Sequence, residues 1–257
     1  MLEPEELAVT ATAFGGVPED QVRRDHLISH VLRAIADMKA LPHSAVVFFG
    51  GTALARTLIS DPAAGARLSE DVDLYTADRK TIAPLLDHGI PRLLRREYPG
   101  ATWDPALSDI RTVDSARLVT AEGLSVKIQL VDIADFAHWP TKSRSVLLRY
   151  TDLPDSVTLP VPTPDSFGGM KTAAWHDRHT ARDLYDLAGL AEIGALTAEA
   201  AALFAKVCGV SVGPHMFRRL PPFDWEAALA HQTGVLPAAS ECLSRVYAAY
   251  STALEWE

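Results

Sequence analysis

The stretch FFGGTALARTLISDPAAGARLSEDVDLYTADRK, residues 48–80, decides the fold. Its two phenylalanines close an apolar run that starts at Ala45, short and bulky enough to be a buried strand. Gly50-Gly51 ends that strand, and residues 52–58 read as a short helix. Residues 61–68, rich in Ala and Gly with one Pro, read as a loop. Asp71-Val72-Asp73-Leu74-Tyr75 then alternates polar and apolar, the period of a strand with one wet face. Side chains at i and i+2 of a strand leave the same face, so Asp71 and Asp73 stand together while Val72 and Leu74 enter the core. An Asp-x-Asp pair alone is common on wet strands, and Gly-Gly alone is usually a turn. The combined order, strand, Gly-Gly, helix, loop and acidic strand, is far more specific.

Working outward, residues 18–41 read as an amphipathic helix, with Leu27, Ile28, Val31, Leu32, Ile35 and Met38 at helical spacing. Helical pattern returns over 79–98. Strands are expected over 117–122 and 125–133 around a turn at Gly123, with weaker ones over 145–150 and 157–161. Pro160, Pro162 and Pro164 mark a boundary. Beyond it, helices are expected over 165–176, 181–193, 198–208, 225–232 and 240–254. Thr180 with Asp183 has the form of a capping box, so the chain breaks between the first two. This order predicts an α/β (α+β) core with a mixed sheet over residues 1–160, and a helical part over 161–257 that completes the site.

Asp71 and Asp73 fit a metal-assisted phosphoryl-transfer site. Such a site must neutralise triphosphate charge and activate a hydroxyl, and magnesium takes carboxylate oxygens while keeping positions for substrate. Gly50-Gly51 before a helix lets a phosphate approach backbone N–H groups, and Thr52 adds a hydroxyl. The order of elements resembles polymerase-β-type nucleotidyltransferases, many of which carry a third carboxylate on a later strand; here that strand is Val126–Asp132, and Gln129 occupies the place. A Gln carbonyl coordinates metal without serving as a base. Asp132, three positions on, faces the other side of an ideal strand. The general base is thus unassigned.

The quoted stretch resembles the signature of the AbiE-type (AbiEii, MenT-like) nucleotidyltransferase toxin family of type IV-like toxin–antitoxin systems. Gly50, Gly51 and Thr52, then Arg67, Ser69, Glu70, Asp71, Asp73 and Leu74 match it, with Val72 where the family has Ile. A second block, Met170-Lys171, Arg178 and Arg182-Asp183-Leu184-Tyr185-Asp186-Leu187, resembles the family's K…R…RDxxDL element. The resemblance implies a polymerase-β-type core, magnesium or manganese at Asp71 and Asp73, and an NTP substrate. It implies that Lys171 contacts the phosphates and Asp186 completes the site. By the same likeness Gly50, Gly51, Thr52, Ser69, Arg178, Arg182 and Asp183 lie at the nucleotide. The acceptor it implies is the 3′ end of tRNA, the consequence is arrested translation, and the partner is a cognate antitoxin. Beside these roles stand the plainer ones, an exposed helix lysine at Lys171 and a surface pair at Arg182–Asp186, and the functional reading is favoured.

Composition narrows the partners. The 257 residues carry a formal charge of −9, which argues against a wholly basic nucleic-acid-binding surface. Local basic groups remain: Arg92/Arg95/Arg96, Lys142/Arg144/Arg149, Arg178/Arg182 and Arg218/Arg219. No apolar run reaches the roughly 18–20 residues of a membrane span, and the acidic start Met1–Glu6 is unlike a leader, so a cytoplasmic protein is expected; a monomer is expected as well. Cys208 and Cys242 are too few for a disulfide framework or an ordinary zinc site. His176, His179, His215 and His231 form no recognisable ligand motif, and Trp175 reads as core or as a base-stacking platform. Two other functions fit the same residues. One is a small-molecule adenylyltransferase of antibiotic-modifying type, which needs no RNA-sized basic surface. The other is a non-catalytic nucleotide-binding module, against which the intact Gly-Gly, both Asp and Lys171 argue.

Overall fold

The computed structural model describes residues 2–256; Met1, the first residue of the acidic N-terminal stretch, and Glu257 lie outside it. Helix α1 (Pro4–Ala13) places Pro4 at its start and Glu5 and Glu6 in its first turn, where proline and acidic groups suit a helix N-terminus. The acidic start is thus a helix, which the sequence pattern did not suggest. It lies against α2 (Glu19–Asp37). Strand β1 (Val47–Phe49) leads into α3 (Gly50–Ala55), and β2 (Asp71–Tyr75) follows the loop. After α4 (Arg79–Leu94) come β3 (Thr102–Trp103), β4 (Ala116–Val119) and β5 (Ser125–Val131). The strands form one mixed sheet in the order β1-β2-β5-β4-β3, in which only the β2–β5 pair is parallel.

The period of two explains the sheet. Val72, Leu74, Ala116, Leu118, Val126, Ile128 and Leu130 are essentially inaccessible and build one face. Their neighbours Asp71, Asp73, Arg117, Lys127 and Gln129 line the other. A single apolar cluster runs from Leu27 and Ile28 of α2, through this sheet face, to Val246 and Tyr250 near the C-terminus.

Strands β6 (Thr141–Leu147) and β7 (Ser156–Pro162) make a separate antiparallel hairpin. Pro160 therefore lies within a strand, and Pro162 is its last residue. A ladder on one side only leaves room for a residue without N–H. The helical part starts at Thr163, whose hydroxyl accepts from the Ser166 N–H at the head of α5 (Pro164–Arg178). Helices α6 (Ala181–Glu192), α7 (Ala198–Cys208), α8 (Trp225–Leu229) and α9 (Ala239–Ala253) follow. The expected break between α5 and α6 is present: His179 is left-handed, and Thr180 accepts from the Asp183 N–H.

One basic cluster dissolves. Arg149 is buried, its guanidinium donating to Asp25 and to the Ala55 carbonyl, with Arg56 against the same Asp25. It is an internal cation joining the hairpin to α2, not part of a basic surface with Lys142 and Arg144. Among the described residues no helix is long and apolar enough to cross a membrane.

Candidate active site

β1 passes into α3 without a loop because Gly50 turns the chain at φ +78°, a left-handed conformation open to glycine. A Cβ on Gly50 would lie 2.1 Å from Oδ2 of Asp73. A Cβ on Gly51 would lie 2.3 Å from Nη2 of Arg67 and 3.3 Å from Oδ2 of Asp186. The two glycines are gaps through which the acidic pair and the Arg67–Asp186 pair reach the backbone.

Asp71 and Asp73 leave β2 on the wet face, half-buried side by side. Burial and the neighbouring Asp71 charge push the Asp73 carboxyl up to about 7, against the pull of Lys171, Arg178 and Arg67. Two carboxylates held this close repel each other, and their oxygens are hard donors suited to a divalent cation. In the parallel register Lys127 stands opposite Asp71 and Gln129 opposite Asp73. Gln129 thus fills the expected third position, its amide donating to the Val113 carbonyl. Asp132 lies exposed beyond the end of β5.

Helices α5 and α6 bring the second block to this face. Arg67 grips Asp186 with both arms, Nε to Oδ1 at 2.8 Å and Nη2 to Oδ2 at 2.9 Å, while its Nη1 donates to Gln232. The ammonium of Lys171 lies 2.6 Å from Asp186 and 3.9 Å from Asp183. Burial alone would raise the Asp186 pKa, but Arg67 and Lys171 hold it far below the usual carboxylate range. Asp183 is likewise held down, against its burial, by Arg178, Lys171 and the Thr180 hydroxyl. Four carboxylates, Asp71, Asp73, Asp183 and Asp186, are thereby interleaved with three cations, Arg67, Lys171 and Arg178. Because α5 ends at Arg178 and His179 is left-handed, Arg178 and Arg182 do not share a continuous helix. Arg178 turns inward to Asp183, and Arg182 reaches Glu70, which also meets Arg24 and His231.

Two expected nucleotide contacts are engaged in holding the site. The Thr52 hydroxyl donates to the Asp71 carbonyl at 2.5 Å. Ser69 is buried, its hydroxyl facing Arg67 and its carbonyl accepting from Gln21. Trp175 is fully buried and donates to the Met216 carbonyl, so it stacks on no base. A cavity of about 180 Å³ lies behind Arg67 and Asp186, lined by Gly65, Tyr185 and Glu192, and does not include the acidic pair.

Comparison with known families decides the class. The model of the AbiEii family, described as the nucleotidyl transferase AbiEii toxin of a type IV toxin–antitoxin system, matches residues 32–252. The chain belongs to the AbiEii nucleotidyltransferase toxin family. As an AbiEii protein it is a nucleotidyltransferase, and its family description implies an NTP substrate and an antitoxin. A comparison with curated proteins finds no match. Among solved structures it is similar to MenT4, a nucleotidyltransferase toxin from Mycobacterium tuberculosis, with TM-score 0.67 and 19% identity over 98% of this chain and 90% of that one. It is also similar to a protein from H. pylori described as a nucleotidyltransferase, with TM-score 0.52 and 14% identity over 93% and 96% of the two chains. At these identities the likeness shows a shared fold.

Arg67 and Lys127 are the site residues that sequence reasoning left without a role. Arg67 belongs to the matched signature, but nothing local says that its partner lies 119 residues on. Lys127 was visibly on a wet strand face. The register that sets it opposite Asp71 was not visible.

Proposed function

We propose that this AbiEii protein transfers a nucleotidyl group from an NTP to the 3′ end of tRNA and so blocks translation. The observation that carries the reading is the convergence at Gly50-Gly51, where Asp73 abuts one glycine and the Arg67–Asp186 pair, with Lys171 attached, abuts the other. Asp71 and Asp73 would hold a magnesium or manganese ion, which when bound neutralises phosphate charge and acidifies the attacking hydroxyl. Lys171 would face the triphosphate as a compact charge, with Asp183 and Asp186 fixing its ammonium. Gly51 leaves backbone room for a phosphate, and the exposed Arg178 and Arg182 flank the entry. The acceptor oxygen attacks the α-phosphorus in line, and the bond to the departing pyrophosphate breaks.

The test is incubation of the protein with each labelled NTP and total tRNA. Label at the tRNA 3′ end, abolished by Asp73→Asn, is the expected result. A small-molecule acceptor is the second reading, favoured by the net charge of −9 and by the burial of Arg149. Label appearing in an aminoglycoside-like acceptor and never in tRNA would replace the first reading with it.

A further inference from the structure

Outside the nucleotidyltransfer site, four potential ligands meet where α2, the end of α4 and the turn of the β6–β7 hairpin come together. His26 and His30 stand one turn apart on α2, so their rings leave the same face. Their Nε2 atoms are 3.2 Å apart. Asp152 places its carboxylate 3.1 Å from Nε2 of His26 and 3.3 Å from Nε2 of His30. Glu97 completes a set whose ligand atoms all lie within 4.8 Å of one another.

These spacings match a specific geometry. A tetrahedral zinc ion with bonds of about 2.0–2.1 Å sets neighbouring ligand atoms roughly 3.3 Å apart. Three edges of the cluster, at 3.1, 3.2 and 3.3 Å, already have that length. The second shell fits as well. Nδ1 of His26 shares a 2.5 Å hydrogen bond with the hydroxyl of Tyr98. An imidazole that gives its Nδ1 proton to such a partner presents the lone pair of Nε2 to the cluster, the usual arrangement of a ligating histidine. In that tautomer the lone pair faces the His30 ring and a carboxylate, where one cation would take all three as ligands. Two imidazoles with carboxylates suit a borderline transition metal better than magnesium or calcium.

We propose that His26, His30, Asp152 and Glu97 form a structural site for a divalent transition-metal ion of the zinc class. The ion ties the β6–β7 turn and the residues after α4 to α2, segments more than 70 and 120 residues apart in sequence. It shares no residue with the nucleotidyltransfer site, so its role is to brace the fold.

The experiment uses the full chain, stripped with chelator and titrated with zinc chloride, followed by desalting and counting of bound metal. An Asp71→Asn/Asp73→Asn background removes the other carboxylate pair able to bind zinc. In that background one zinc per chain is expected to remain, and zinc is expected to raise Tm in a concentration-dependent way. His30→Gln and, separately, Asp152→Asn are expected to lose both the bound zinc and the Tm rise. Tyr98→Phe is expected to weaken zinc binding about tenfold or more by freeing the His26 ring. Should His30→Gln fail to fold by circular dichroism, Asp152→Asn, which alters a turn residue, gives the same readout. Retention of zinc by folded His30→Gln and Asp152→Asn, or no zinc in the background protein, overturns the proposal.

Discussion

Gln129 faces Asp73 across the parallel β2–β5 pair, register partner to register partner, where a third carboxylate would complete an acidic triad. The position accepts a carboxylate without rebuilding the strand. Gln129→Glu should therefore tighten metal binding, seen as a several-fold lower magnesium concentration at half-maximal activity. It should cost about 1 kcal/mol of stability through the lost bond to the Val113 carbonyl. An unchanged magnesium dependence would mean that Gln129 does not face the ion.

Asp73 destabilises the fold when charged, and the sign follows from its raised pKa. Its carboxyl is pushed up to about 7 in the fold from an ordinary 3.8. Between those values the unfolded chain has lost the proton while the folded chain keeps it, so stability falls as pH rises through this window and the penalty is complete above about 7. Asp73→Asn should abolish transfer while raising Tm, with the gain larger at pH 8 than at pH 5. Magnesium should raise the Tm of the unmutated protein in the same alkaline range. A Tm gain independent of pH would show that the Asp73 carboxyl is not strained.

Lys171 is pinned by Asp186 at 2.6 Å with little room around it. Lys171→Ala leaves Asp186 in the grip of Arg67, so the protein should fold and lose about 10²–10³-fold in turnover, as when a charge-stabilising donor is removed. Lys171→Arg should recover little, because a planar fork does not replace a compact ammonium. Ordinary NTP kinetics in Lys171→Ala would reduce the residue to a counterion for Asp186.

Arg67 and Asp186 form a buried pair, and removing Arg67 leaves Asp186 held at contact distance by Lys171. Arg67→Met should cost roughly 3 kcal/mol in denaturant unfolding, whereas Arg67→Met/Asp186→Leu should recover part of that without recovering activity, since Lys171 is then left with Asp183 at 3.9 Å. Additive losses in the double variant would show that the two side chains are not energetically coupled.

The sheet and the helices of the C-terminal part were legible because their signals are local: alternation in β2, β4 and β5, and 3.6-residue spacing with a cap at Thr180. The acidic pair was legible for the same reason. What was not legible is contact across distance. The joining of Arg67 to Asp186, the placement of Lys127 beside Asp71, and the meeting of His26 and His30 with Asp152 are set by tertiary packing. Asp25 and His26 also lie buried on the face of α2 that an apolar spacing rule assigns to hydrophobes. Helix α1 was missed because its turn of prolyl and acidic residues has no apolar stripe long enough to show a period.

The acceptor is tested through Arg182. Arg149 cannot serve, since its guanidinium is buried on Asp25 and a reversed charge there would unfold the hairpin before it touched RNA. The Arg182 side chain is 45% exposed beside Glu70 at the edge of the site, and its surface pair contributes little to stability. Arg182→Glu should fold normally and keep self-transfer or hydrolysis of NTP while tRNA labelling falls. A tRNA end engages only a few phosphates, so labelling by the unmutated protein should weaken with salt along a shallow slope, and shallower still in Arg182→Glu. Equal tRNA labelling by the two proteins, with the same salt slope, would remove Arg182 from the acceptor path.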